Sequence, residues 1–442
     1  MRTINQSGSA IDTRGAFFQS LGSNGRSCAS CHTLDSALGL SVAEIQRRFA
    51  STRGKDPLFT PIDGANCPED AQGVADNHSL LLRHGLIRVG LAIPANAEFT
   101  ITAVHDPYGC AIAPDPSTGL PTVSVYRRPL PATNLRFLST VMWDGRETLA
   151  PLTSDSTLAA NLFTDLAQQA TDAVLGHEQA AVAPSTAQVK SMVNFELGLT
   201  SAQVFSFSVG SLDAAGALGG PRALSRQGYY PGINDVLGDG FNPTSMTLYA
   251  AWQSKHHAAA PRADIAAGEQ LFDSAPMTIT DARGLNDNPA FGTPSSLTAT
   301  CSSCHDAPNV GDHSAPVPID IGIAHPSLPG FEADANVVAG LAELTAPELP
   351  VYRIDGCPDA FNPGQAATIY TTDPGRALIT GKCADVERFK GPVLRGLSAR
   401  APYFHNGSAA TLRQVVRFYD MRFQMQLTPR QIDQLAAFLA TL

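Results

Sequence analysis

The chain has 442 residues, a formal net charge of −10 and a pI near 5.5, and 43% of its residues are hydrophobic. That length supports two or three domains with real cores. The acidic balance and the lack of any Lys/Arg cluster argue against a nucleic-acid or anionic-membrane partner and favour a diffusible redox or small-molecule one.

No apolar stretch reaches spanning length, and the start, residues 1–9, is polar rather than the charged-then-apolar pattern of a secretion signal. Either a cytoplasmic home or a trimmed signal follows. Ile11, Phe17, Phe18 and Leu21 share roughly one helical face, and Gly22 and Gly25 end the pattern, so a helix is expected to lead into the run Cys28-Ala29-Ser30-Cys31-His32. Residues 51–129 read as loop-rich, with short strand-like runs such as 99–104. The stretch 258–264, with Pro261 inside, is the expected domain boundary. Beyond it Gly268-Glu269-Gln270-Leu271-Phe272 repeats the pattern of Gly15-Ala16-Phe17-Phe18. A surface loop rich in Asp, Asn, Gly and Pro (281–296) then precedes a second run, Cys301-Ser302-Ser303-Cys304-His305. Leu412, Val415, Val416 and Tyr419 fall at i, i+3, i+4 and i+7 of a predicted helix, which puts the Tyr419 ring on an apolar face, where a phenol needs a partner. A capped amphipathic helix opening at Thr428-Pro429 closes the chain.

Four of the eight cysteines sit in the two Cys-x-x-Cys-His runs. That spacing puts both sulfurs on one side of a helical turn, where they can add to the two vinyl groups of a haem, and aims the next histidine at the iron. Zinc ribbons pair their Cys-x-x-Cys knuckles closely, whereas these lie far apart and each is followed by histidine. The expected cofactors are therefore two covalently bound haem c groups. Attachment of this kind takes place outside the bacterial inner membrane, so a periplasmic home with the signal trimmed is expected. There Cys67, Cys110, Cys357 and Cys383 can form disulfides; Cys67 with Cys110 and Cys357 with Cys383 is the simplest pairing, and two others remain open.

The runs Met142-Trp143-Asp144-Gly145-Arg146, Phe389 through Arg395 and Ala401-Pro402-Tyr403-Phe404-His405-Asn406-Gly407 through Leu412, with the two haem sites in order, resemble the bacterial di-haem cytochrome c peroxidase and MauG family. Segments 50–130 and 205–295 are insertions with no counterpart in its short members. The resemblance implies a mainly α fold of two c-type cytochrome domains with long irregular insertions and the haems held across the domain interface. The expected division is 1–260, carrying the peroxide-reacting haem on His32, and 261–442, carrying the electron-transfer haem on His305. At the position of the second haem's sixth ligand, a methionine in the peroxidases and a tyrosine in MauG, stands Tyr419, with Met421 and Met425 as fallback. Trp143 matches the tryptophan between the haems. Asn134, with the backbone carbonyls of Arg400 and Pro402, matches an inter-haem calcium site. Arg146 and Arg395 are candidates for haem propionates.

Peroxide cleavage needs a group that moves a proton between the two oxygens. The family supplies a Glu ten residues after a Gln. Gln169 matches the Gln, but position 179 is Gln, which leaves Glu178, or His177 one step further back, as the acid–base candidate. His78, His84, His105 and His313 are weaker candidates for capping a haem, and His405 reads as an interface hydrogen-bonder. Three functions stand together: a peroxidase or MauG-like oxidase, an oxygenase resembling the di-haem rubber-cleaving enzymes, and a plain electron carrier. The first implies hydrogen peroxide and an electron donor as partners: a small cytochrome, a cupredoxin or a protein substrate. The resemblance also leaves room for a homodimer.

Overall fold

In a computed structural model of the protein, residues 1–442 are described except 116–117, 150–154, 229–241, 243–244, 254–259, 306–317, 332 and 363. Helix outweighs strand. The longer helices are Val42–Thr52, Asp155–Gly176, Thr186–Leu197, Ala260–Ser274, Leu412–Arg422 and Pro429–Leu439, joined by short 3-10 turns.

The expected C-terminal helices form, and their caps explain where they start. Thr411 and Thr428 each accept from the backbone N–H three residues on, while Gln414 and Gln431 reach back to the cap. The closing helix packs on Ala260–Ser274 at Gly268, where a Cβ would stand 2.1 Å from the Gln434 carbonyl oxygen. Phe272, Phe438, Leu435 and Leu439 fill that contact, with Tyr249 stacked on Trp252 at 4.7 Å beside it. Pro261 sits in the first turn of this helix, where its missing N–H costs nothing. The helix expected over residues 11–21 shrinks to a single 3-10 turn, Ala16–Phe18. Gly15 and Gly22 flank it, and backbone freedom at glycine disfavours propagation.

The insertions hold more order than irregular loop. Ile87–Ala92, Pro121–Arg127 and Ile112–Pro114 form one antiparallel sheet; Ala366–Thr371, Val351–Pro358 and Thr100–His105 form another. The second sheet pairs Val351–Pro358 with a strand from the other side of the expected boundary. Tyr352, fully buried in it, donates to the carbonyls of Ala111 (2.9 Å) and Ser124 (2.6 Å) in the first sheet, stapling the two together. β-Branched and aromatic residues in stretches such as 122–125 and 368–371 favour strands over loops. Cys67 is bonded to Cys110 and Cys357 to Cys383, the simplest pairing of the four.

Arg127, at the end of a strand, carries the main buried ion network. Its guanidinium grips Asp373 with two bonds of 2.6 and 2.8 Å and also pairs with Asp144, next to Trp143. Burial alone would raise the pKa of Asp144, but Arg127 and Arg146 hold it down to about 2. A folded-state value below the ordinary 3.8 gives stability that is complete above pH 4 and lost as pH falls toward 2. Unfolding followed by circular dichroism should show that acid loss in the wild type. At neutral pH, Arg127→Met leaves Asp373 buried without its arginine and Asp144 with Arg146 alone, and should cost about 3–5 kcal/mol.

Candidate functional site

Two pockets reach into the interior. Each is built around one Cys-x-x-Cys-His run.

The two runs fold alike. Cys28–Ser30 and Cys301–Ser303 are 3-10 turns with matching caps: Ser30 Oγ accepts from the Ser27 N–H at 3.0 Å, and Ser303 Oγ from the Thr300 N–H at 3.1 Å. His32 N–H donates to the Cys28 carbonyl at 3.0 Å, and His305 N–H to the Cys301 carbonyl at 2.8 Å. Phe17 lies 6.4 Å from the His32 ring and Phe272 lies 6.2 Å from the His305 ring, so the duplicated sequence pattern places the same aromatic neighbour in each unit. None of the four cysteines is in a disulfide, and burial pushes the Cys31 thiol up to about 11 and the Cys301 thiol up to about 12. The His32 Nδ1 lies 3.0 Å from the Leu38 carbonyl, which fixes it as the N–H nitrogen and leaves Nε2 as the donor to a metal. The residues fit a c-type haem in each cavity.

Trp143 lines both cavities, as do Arg128, Pro129, Leu130, Lys390 and Val393, so the two share a wall. The indole is fixed by its Nε1–H donating to the Arg128 carbonyl at 2.8 Å. Its own carbonyl accepts from the Lys390 N–H at 2.8 Å. His405 stands edge-on to the indole at 6.1 Å and stacks on Phe389 at 4.2 Å. Burial pushes His405 down to about 4 despite nearby Asp373, so the imidazole is neutral.

The cavities differ in chemistry. Around His32 are Arg26, Asp63, Gln169, His177, Glu178 and Glu196. Around His305 the wall is mostly apolar, with Met277, Ile279, Ile319, Ile321, Tyr419 and Met425. Tyr419 is ringed by Phe404, Phe418 and Phe423. Its hydroxyl makes no hydrogen bond among the described residues, and burial raises its pKa strongly. Met425 shares that cavity, whereas Met421 is 42% exposed and faces away.

In the His32 cavity, Gln169 projects from the helix Asp155–Gly176, and Glu178 and His177 follow its end. The Glu178 carboxylate accepts from the Leu21 N–H at 2.8 Å and stands 4.0 Å from the Cys28 sulfur; burial raises its pKa. Gly22 allows this contact, since a Cβ there would sit 1.8 Å from the Glu178 carbonyl oxygen. The His177 Nδ1 is hydrogen-bonded to buried Asp63, which Arg26 also holds. Burial would raise Asp63, but Arg26 and His177 together keep it below its ordinary value. Sequence reading missed this Arg26–Asp63–His177 chain, whose members are far apart in the sequence. It also missed Glu196, which burial pushes up to about 8; its position one turn beyond Met192 and Val193 on the same helix was the available signal.

Other candidates lie elsewhere. Buried His78 uses both ring nitrogens, Nδ1 at 2.7 Å from the Gly64 carbonyl and Nε2 accepting from the Gly73 N–H. His84 and His105 line neither cavity, and His313 is outside the described residues. Arg146 lines the His32 cavity but pairs with Asp144 at 3.1 Å; Arg395 is fully buried.

The expected calcium ligands do not fit a metal. The Asn134 side chain is spent on one strand residue, Oδ1 accepting from the Ser201 N–H at 3.0 Å and Nδ2 donating to the Ser201 carbonyl at 2.9 Å. The Arg400 carbonyl accepts from the Arg128 guanidinium at 2.9 Å. Pro402 lines the His305 cavity, but without those two oxygens its carbonyl makes no cage.

Two Cys-x-x-Cys-His cavities sharing a tryptophan wall make the site cytochrome-like. The chain's sequence relatives agree: they are bacterial cytochrome c peroxidases. The cytochrome c551 peroxidase of Nitrosomonas europaea is 31% identical over 131 residues, 26% of this chain and 39% of the relative. The cytochrome c peroxidase of Escherichia coli K12 is 37% identical over 84 residues, 19% of this chain and 17% of the relative. The chain thus spans well under half the length of these relatives. No protein-family profile matches it. Among solved structures, a MauG-like protein associated with microbial copper homeostasis aligns over 97% of this chain and 87% of its own, at 15% identity and a TM-score of 0.35.

Haem counting tests the two attachment sites separately. By pyridine haemochrome and intact mass the wild type should carry two haems. Cys28→Ala/Cys31→Ala and Cys301→Ala/Cys304→Ala should each carry one, and any folded double variant that keeps both contradicts the assignment.

Proposed function

We propose that this chain is a periplasmic di-haem c-type oxidoreductase of the peroxidase and MauG-like kind. Hydrogen peroxide is reduced on the His32 side, and oxidising equivalents are shared with the His305 side. The observation that carries this reading is the shared wall: one indole, fixed by hydrogen bonds at both its ring N–H and its backbone carbonyl, lines two cavities that each hold a haem-attachment motif. No helix among the described residues is long and apolar enough to cross a membrane, which suits a periplasmic protein.

When bound, haem supplies the iron at which peroxide is reduced and the conjugated ring that carries electrons. The protein supplies ligands, protons and separation. His32 and His305 would hold the irons, their rings held by a carbonyl in one case and flanked by phenylalanine in both. Reduction of peroxide to water consumes protons, and Asp63, His177, Glu178 and Glu196 line the His32 cavity. His177 is the better oriented of the adjacent pair, since Asp63 fixes its Nδ1 and leaves Nε2 to exchange a proton. Glu178, with a raised pKa and one oxygen on the Leu21 N–H, is the carboxylate partner, and Gln169 positions the oxidant. A carboxylate in this cavity weighs against the oxygenase reading.

On the other side Tyr419 would help hold the iron: its hydroxyl, without a hydrogen bond among the described residues, shares the His305 cavity with Ile279, Ile319 and Ile321. A phenolate is a hard anionic donor that stabilises oxidised iron. The matching donor is then a small cytochrome, a cupredoxin or a protein substrate whose oxidation needs a strong oxidant.

Peroxide turnover with a reduced donor tests the reading. The wild type should consume peroxide stoichiometrically with donor oxidation. His177→Gln and Glu178→Gln should lower kcat/KM by about 100- to 10 000-fold between them while both haems stay bound. Tyr419→Met should raise the potential of the His305-side haem. Wild-type protein inert to peroxide would overturn the proposal.

A further inference from the structure

One of the expected calcium ligands, the Arg400 carbonyl, is taken by a cation of the chain itself. Arg128 is 5% exposed and stands in the wall between the cavities. Its Nη1 donates to the carbonyls of Gly85 (3.0 Å) and His84 (3.3 Å), and its Nη2 to those of Leu40 (2.6 Å) and Arg400 (2.9 Å). Three separate chain segments thus turn main-chain oxygens onto one positive charge, the kind of shell that a hard cation takes. No carboxylate pairs with it among the described residues; the titratable groups facing it are Arg400 and Tyr403. Burial, with Arg400 adding to it, pushes the guanidinium down to about 9, still charged at neutral pH.

The surroundings are cut to this group. Gly85, at φ +63°, is the residue whose Cβ would stand 1.6 Å from Nη1, so any side chain there would evict the guanidinium. The backbone of Arg128 is tied on both sides: its N–H donates to the His405 carbonyl at 2.6 Å and its carbonyl accepts from the Trp143 indole. Four orphaned carbonyl oxygens in this buried wall would each lack a donor without it.

We propose that the Arg128 guanidinium is the resident cation of the wall between the two cavities, a side chain filling the place of a divalent metal, so that this protein assembles both haem pockets without calcium. The inference uses the same cavities as the proposed peroxidase function but does not depend on peroxide chemistry.

Metal analysis of the purified di-haem protein tests it whether or not the protein turns over peroxide. After dialysis against EGTA, inductively coupled plasma mass spectrometry should find no stoichiometric calcium. Haem spectra and Tm should be the same in EGTA and in millimolar calcium chloride. One calcium per chain, with loss of Tm or altered haem spectra on its removal, would overturn the proposal. Arg128→Ala probes the site from the other side: it should lower Tm by several degrees in EGTA, with part of that loss recovered by calcium chloride, a response absent from the wild type. An Arg128→Ala protein with wild-type Tm and haem spectra in EGTA would show that the wall needs no cation and would also overturn it. If that variant does not fold, the wild-type metal analysis decides alone.

Discussion

The constraint that joins the two cavities is one indole held between them. The neighbours of Trp143 hold it through the main chain. Asp144, the next residue, is locked to Arg127, and Arg127 is locked to Asp373 on the far side of the fold. Arg128 takes the indole N–H on its carbonyl, and Lys390 donates to the Trp143 carbonyl. The wall is therefore made of adjacent residues, 127–128 and 143–144, each tied to the C-terminal half. Buried charges are costly unless fully satisfied, and such networks favour one geometry over near alternatives.

The second organising feature is the division of polar groups between the cavities. Proton chemistry needs titratable side chains with fixed orientation, and Asp63, His177, Glu178 and Glu196 are all on the His32 side. Electron storage needs a dry, rigid site whose ligands set the potential, and the His305 side is lined with isoleucine, methionine and aromatic rings. The duplicated loops fold alike, and the surroundings make the two cavities unequal.

Much of this was legible in the sequence. The Cys-x-x-Cys-His runs, the two capped C-terminal helices and the face bearing Tyr419 follow from spacings of three to seven residues, which local geometry fixes, whereas the disulfide pairing was only the simplest of three. Trp143 was found through a motif rather than from its physics, since a lone tryptophan has no periodicity to read. What failed depended on long-range contacts. The lead into Cys28 has helical spacing, but its glycines and the packing of Phe17 on His32 leave a single turn. The Asp63–His177 pair and the Arg128 carbonyl shell join residues from distant segments, and backbone oxygens have no sequence signature. Asn134 looked like a ligand because its residue type matched; its actual partner is the backbone of Ser201.

The most direct test of the central claim is electron paramagnetic resonance and optical spectroscopy of the oxidised protein before and after one equivalent of hydrogen peroxide. The claim predicts a high-spin signal from an open His32-side haem that is lost on addition, with the spectrum of the His305-side haem changing at the same time. Two low-spin haems, indifferent to peroxide in both the oxidised and half-reduced states, would contradict it and leave an electron carrier.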